Sequence, residues 1–248
     1  MNELKELLEF AVELGRGAGD ITLEYFRKKP ETSTKDDGSY VTIADREAEK
    51  YLRRQIAERF PDDGCVGEEE GESTGRSGRR WIVDPIDGTF AFVHGVPFYG
   101  VLIALEVDGE SVVGVVNIPA LGELVSAAKG LGCFLNGEPA RVSDTAALKD
   151  ALLLSTDFAA STERLRARAK TSRTWGDCYG YVLVATGRAD VMLDPVMNLW
   201  DCAPLLPIME EAGGTFTDWR GARTIDGGDS IATNGVLFDE VMSLVGVR

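Results

Sequence analysis

A β-prone run that ends abruptly in two acids constrains this chain more than any other feature. Trp81-Ile82-Val83 are large and read as a buried strand. Asp84, Pro85, Ile86, Asp87, Gly88 and Thr89 follow at once. Pro85 fixes φ and removes a backbone donor, so a turn is expected there. Gly88 lets backbone N–H groups approach a partner closely, and Thr89 offers a hydroxyl at a helix start. Unpaired carboxylates at the end of a buried strand are costly, and a cation is the expected compensation. Asp also serves in turns and caps, which is the plainer reading of Asp84 and Asp87. A second acid cluster, Glu68-Glu69-Glu70, lies upstream, and Asp201 follows a tryptophan far downstream. The combination favours a metal site over turn chemistry alone.

The 248 residues, 44% of them hydrophobic, suffice for one large domain or two halves sharing a core. A net charge of −15, without any Lys/Arg run, argues against nucleic acid as a partner. Residues 1–20 carry charges throughout and lack the apolar centre of a signal peptide. No run reaches the length of a membrane span. Cys65, Cys133, Cys178 and Cys202 are widely spaced and read as reduced residues of a cytoplasmic protein.

Helical spacing of Leu4, Leu7, Leu8, Ala11 and Leu14 predicts a helix over 3–28, closed by Pro30. Residues 31–41, with Lys35 and Gly38, predict a mobile loop or twisted hairpin. Thr42 caps a second predicted helix, which runs to about Phe60. A short strand near Cys65-Val66 and a flexible loop over 71–78 precede the Trp81 strand. Further strands are expected at 98–107 and 111–118, joined by a hairpin at Asp108-Gly109, then at 123–128 and 132–135. Beyond them, strands at 151–155, 191–193 and 231–233 alternate with helices at 161–169, 179–186, 199–212 and 236–245. The pattern predicts an α+β half over 1–141, carrying most metal ligands, and an α/β half over 142–248, carrying Asp201 and the specificity residues.

Hard oxygen ligands suit Mg²⁺, which often works on phosphate. Two ions about 3.5–4 Å apart clamp a phosphate ester and activate water, and Asp84 is the candidate bridge. Bound metal also reverses a field that would otherwise repel phosphate. Backbone N–H groups of Gly88 and Thr89 are then placed for phosphate oxygens. Other phosphatase chemistries lack their residues. No cysteine has an arginine six positions on, His94 is the only histidine, and the acids are not spaced as DxDxT. Walker A is also missing. Hydrolysis by metal-activated water remains.

The segments Val41-Thr42-Ile43-Ala44-Asp45, Gly67-Glu68-Glu69, Trp81 to Thr89, and Trp200-Asp201-Cys202-Ala203 through Glu211-Ala212-Gly213-Gly214 resemble the inositol monophosphatase family over nearly the whole chain. These are magnesium-dependent, lithium-sensitive sugar and alcohol phosphate phosphatases. The resemblance implies a layered αβαβα sandwich, a homodimer and Mg²⁺, about two or three ions. It implies metal binding by Glu68, Asp84, the Ile86 carbonyl, Asp87 and Asp201. Thr89 and Asp45 would help Glu68 position the attacking water, and Asp87, Gly88 and Thr89 would meet the substrate. His94, in an FVHG segment, is expected to pack or hydrogen-bond. Phe90-Ala91 replaces the small or polar residues that inositol enzymes carry after DGT.

The stretch Arg173 to Tyr181 and the Leu193-Asp194-Pro195 segment resemble the histidinol-phosphatase branch. A carboxylate at Asp177 or Asp194 would pair with the ammonium of L-histidinol phosphate and disfavour a neutral polyol. Asp177 also reads as a helix cap, and Arg173 as a residue that either orients its strand or touches substrate. The expected activity is therefore a histidinol-phosphatase of histidine biosynthesis. The alternatives are an inositol-1-monophosphatase or broad-specificity sugar phosphatase and, outside enzymes, an acidic metal-binding protein.

Overall fold

The computed structural model describes residues 2–36, 38–157 and 162–245. Helix α1 (Asn2–Tyr25) opens the chain, followed by a hairpin of β1 (Thr32–Thr34) and β2 (Tyr40–Thr42), and then α2 (Ile43–Arg59). Next come β3 (Gly64–Gly67), β4 (Gly71–Ser73), β5 (Arg79–Asp87), the short α3 (Thr89–Val93), β6 (Gly100–Val107) and β7 (Glu110–Ile118). The first half closes with β8 (Glu123–Ala128), β9 (Gly132–Leu135) and β10 (Glu138–Ala140). The second holds β11 (Leu152–Ser155), α4 (Glu163–Arg168), β12 (Thr171–Arg173), α5 (Asp177–Ala185), β13 (Val191–Asp194), α6 (Leu199–Glu211), β14 (Thr215–Thr217), β15 (Ser230–Thr233) and α7 (Phe238–Leu244).

The eight-stranded sheet has the order β10-β9-β8-β7-β6-β5-β3-β4, antiparallel except for the β3–β5 pair. The five-stranded sheet, β12-β11-β13-β15-β14, is parallel at β12-β11-β13 and antiparallel beyond. Side-chain alternation along these strands builds the layers. Trp81 and Val83 face α1 and α2 in one apolar cluster, with Leu14 and Leu52. Ile82 faces the other way, into a cluster with Val182 of α5 and Leu205 of α6 that also takes Met192 and Phe216 from the small sheet. The far face of that sheet, through Leu153 and Leu193, packs with Leu165 and Val241. Helix pair, sheet, helix pair, sheet and helix pair make an αβαβα sandwich.

Helix α6 contains Pro204 and Pro207, yet stays helical. Pro207 has no N–H to give the Ala203 carbonyl one turn back. The Ser111 hydroxyl of β7 donates to that carbonyl instead, at 2.6 Å.

Several expectations are corrected. Helix α1 ends at Tyr25, before 28, because Arg27 and Lys29 take positive φ (62° and 53°). The predicted flexible loop over 71–78 begins as a strand paired with β3. Pro85 does not turn the chain. Strand β5 continues to Asp87 through a bulge in which Asp84 pairs with Leu102 and Asp87 with Gly100. The turn comes at Gly88, where φ is 78°. Strands β10 and β14 were not expected from the pattern; like β4, each is a three-residue edge strand, too short for alternation to register. Residue 37 of the predicted 31–41 segment and residue 161 of the predicted 161–169 helix lie outside the described residues.

Candidate active site

The bulge in β5 gathers what a regular strand would separate. With an extra residue inserted, Asp84 and Asp87, which a regular strand would place on opposite faces, both reach one hollow at the strand end. Asp84 is buried, and its Oδ1 accepts the Ile86 N–H at 2.9 Å. Asp201 enters from the first turn of α6. There its Oδ2 accepts the Asn198 N–H at 2.7 Å and completes a capping box. One carboxylate oxygen from each of Asp84, Asp87 and Asp201 lies within 4.8 Å of the others. Glu68, Ile86, Gly88, Thr89 and Asp177 line the same hollow, of about 330 Å³.

Crowding sets the electrostatics. Burial, with Glu68, Asp87 and Asp201 as charged neighbours, holds Asp84 far above the usual carboxylate range. Burial and Asp201 raise Asp87 to about 7, and burial likewise raises Asp201 to about 7. Such a cluster of buried acids is compensated by protons or by a cation. The donors are carboxylates and a backbone carbonyl, without imidazole or thiolate, which fits a hard divalent ion such as Mg²⁺.

Asp45 serves two neighbours. Its Oδ2 accepts the Thr42 N–H at 2.8 Å and the Thr42 hydroxyl at 2.6 Å, so it belongs to the capping box of α2. Its Oδ1 faces the Thr89 hydroxyl at 3.5 Å, while that hydroxyl donates to the Ile86 carbonyl at 2.9 Å. Burial raises Asp45 to about 6. Glu68 is met from the β1–β2 hairpin by Lys35, whose Nζ donates to Glu68 Oε1 at 2.8 Å and Glu69 Oε1 at 2.6 Å. Burial pulls the Lys35 ammonium down, but these two carboxylates outweigh it and hold it above its ordinary value.

Asp177 does not cap α5: Gly176 occupies the cap position, and no side-chain cap bond forms. Its carboxylate lies instead against Gly88, where an added Cβ would stand 3.1 Å from Asp177 Oδ2. Burial and the nearby Asp87 raise Asp177 to about 7. Asp194 lies behind it. The Thr156 hydroxyl donates to Asp194 at 2.7 Å and accepts the Asp177 N–H at 3.1 Å. Both acids border a smaller cavity of about 80 Å³ shared with Asp87 and Asp201.

Arg173 is not brought to this site. It is exposed, and Nη1 donates to Thr171 Oγ1 at 3.0 Å and the Ser172 carbonyl at 2.7 Å, which is the strand-orienting option. His94 is exposed, stacked on Phe90 with ring centroids 4.2 Å apart, and bonded through Nδ1 to the Phe90 carbonyl. Phe90 and Tyr40 stack at 6.1 Å on the wall of the hollow. Sequence reasoning missed Thr156 and the Cys178 N–H that donates to Asp87. A lone threonine and a backbone amide carry no pattern, so no signal could have found them.

The model of the inositol monophosphatase family matches residues 3–245. A histidinol-phosphatase of Chlorobaculum parvum is 46% identical, covering 96% of this chain and 96% of its own length. A fructose-1,6-bisphosphatase/inositol-1-monophosphatase of Thermotoga maritima is 35% identical over 96% of this chain and 95% of its own. Among solved structures, the extragenic suppressor protein suhB of Bartonella henselae superposes with a TM-score of 0.91 at 30% identity, covering 97% of this chain and 98% of that one.

Proposed function

Because the chain belongs to the inositol monophosphatase family, and is thereby a phosphoric monoester hydrolase, we propose that it is a magnesium-dependent histidinol-phosphatase. The reaction is L-histidinol phosphate plus water to L-histidinol plus phosphate. The observation that carries the substrate is Asp177, whose carboxylate lies against Gly88 on the wall of the acid-lined hollow. An ammonium beside the ester finds its counter-charge there, and a neutral polyol leaves that carboxylate unpaired.

Glu68, Asp84, Asp87, Asp201 and the Ile86 carbonyl would hold the metal. When bound, the metal supplies charge to the phosphate and lowers the pKa of water. The protein's own groups do the positioning. Thr89 Oγ1 lies between the Ile86 carbonyl and Asp45 Oδ1. A hydroxyl that gives its proton to Asp45 turns its lone pairs towards a water molecule in the hollow. Gly88 and Thr89 line the place where phosphate would lie. Residues 1–141 and 142–248 act as one catalytic unit in this reading, because Asp84 and Asp87 share the hollow with Asp201 and Asp177.

A second reading is an inositol-1-monophosphatase or broad-specificity sugar phosphatase. It draws on the Thermotoga maritima relative and on the aspartates raised to about 7, which in protonated form donate to hydroxyls. Phosphate release from L-histidinol phosphate and from inositol 1-phosphate, each with Mg²⁺ and with excess chelator, separates the two. Release from inositol phosphate that is equal or faster removes the first reading, and release that survives the chelator removes both.

A further inference from the structure

Glu49 sits in the middle of α2, its side chain fully removed from solvent. It lines neither the main hollow nor the small cavity behind it. Its Oε2 accepts the Glu69 N–H at 2.8 Å, and its Oε1 accepts the Glu70 N–H at 2.9 Å. Arg53 Nε donates to the same Oε1 at 2.8 Å and balances the charge. The two amides held in this way are the pair directly after Glu68. Gly67, just before it, is shaped by the same carboxylate: a Cβ there would stand 2.2 Å from Glu49 Oε1. The turn carrying Glu68, which joins β3 to β4, is therefore tied to one buried carboxylate on a helix.

We propose that Glu49 is a positioning residue for metal binding, acting by fixing the Gly67–Glu70 turn so that Glu68 is ordered before the ion arrives. The inference rests on Glu68 being a metal ligand, as read above. Loss of the clamp takes the acceptor from the Glu69 and Glu70 amides and adds the cost of ordering the turn to each binding event. Groups that hold metal ligands in place typically change affinity by about 10–100-fold when removed.

The molecule contains its own control. Glu211 clamps another turn in the same manner, accepting the Gly130 N–H at 2.7 Å and the Gly132 N–H at 2.8 Å. That turn carries no residue of the hollow. A clamp that served only its local turn would leave Mg²⁺ binding unchanged at either glutamate, although Glu211 is the less buried of the two.

The test compares Glu49→Gln, Gly67→Ala and Glu211→Gln in the full chain. Glutamine has one acceptor where the carboxylate has two, so at least one amide faces an NH₂ group. Calorimetric titration with Mg²⁺ alone should give a dissociation constant raised about 10–100-fold for Glu49→Gln and Gly67→Ala, and unchanged for Glu211→Gln. The Mg²⁺ concentration for half-maximal phosphate release should rise in parallel, with kcat at saturating Mg²⁺ within about twofold of wild type. Wild-type affinity in Glu49→Gln overturns the assignment. Equal weakening in Glu211→Gln overturns it too, as does loss of the folded circular dichroism spectrum in both Glu49→Gln and Gly67→Ala. A wild-type chain that takes up no Mg²⁺ in the same titration instead removes the metal reading itself, whatever the variants do.

Discussion

The Cys178 N–H donates to Asp87 Oδ2 at 2.6 Å, across 91 residues of chain. One oxygen of Asp87 is thus spent on the start of α5, beside Asp177, while the side chain still presents an oxygen to Asp84 and Asp201. Asp87→Asn keeps an acceptor for that N–H and loses the charge. Phosphate release should fall by about 100-fold or more, a larger effect than removing an outer support of a metal ligand. The circular dichroism melting curve should stay cooperative. Unchanged turnover would contradict a catalytic hollow built on this acid.

The raised acids give the metal-free protein a definite pH dependence. Asp87, Asp201, Asp177 and Asp194 are lifted to about 7 and Asp45 to about 6, burial being the main cause in each. Carboxylates of the unfolded chain titrate near 4. Between those limits the folded state holds protons that the unfolded state has released. Stability therefore falls as pH rises from about 4 through about 7, then levels off. With metal removed, Tm should be higher at about pH 5.5 than at about pH 8.5. Added Mg²⁺ should raise Tm strongly at the higher pH and little at the lower, because binding needs the carboxylates ionised. Scanning fluorimetry with and without chelator checks this, and a metal-free Tm that climbs with pH would refute it.

Much of this arrangement was legible in the residues. Trp81 to Val83 announced a buried strand, and Thr42 marked a helix start. The acids of the Glu68, Asp84 and Asp201 segments pointed to one hollow because isolated buried charge is too costly to be scattered. The role of Pro85 was not legible. A proline between two acids reads as a turn, and only the pairing of β5 with β6 converts it into a bulge. Asp177 reads both as a partner for a substrate ammonium and as a helix cap, and only the structure sets it on the wall of the hollow. A helix-start aspartate reads as a cap, and its φ of 51° becomes evident only in three dimensions. Three short edge strands escaped for a similar reason: their identity comes from the neighbour they pair with, not from their own composition.

Thr89 offers a test of the proposed water-positioning pair. Its hydroxyl is shared between Asp45 and the Ile86 carbonyl, and its backbone begins α3. Thr89→Val keeps the shape and removes the hydroxyl. Loss of a group that orients the nucleophile costs about 100- to 10,000-fold in kcat. KM should move by about twofold at most, because ground-state contacts remain. Thr89→Ser should retain most of the activity. A Thr89→Val enzyme with normal kcat would leave Asp45 as a cap residue only.

In the proposed reading Asp177 selects the substrate, and its backbone dictates which variant is informative. At φ 51° a β-branched residue such as threonine is strained, whereas asparagine tolerates the left-handed region. Asp177→Asn removes charge and little else, leaving the N–H bonded to Thr156. A hydrogen bond to a charged group contributes about 1.5–3 kcal/mol, which corresponds to a loss of about 10- to 150-fold in kcat/KM for L-histidinol phosphate. Inositol 1-phosphate carries no ammonium, so its slower hydrolysis should change by less than about threefold. A fall of equal size on both esters would assign Asp177 to the general shape of the hollow. No fall on either would remove it from recognition and return the choice of substrate to the second reading.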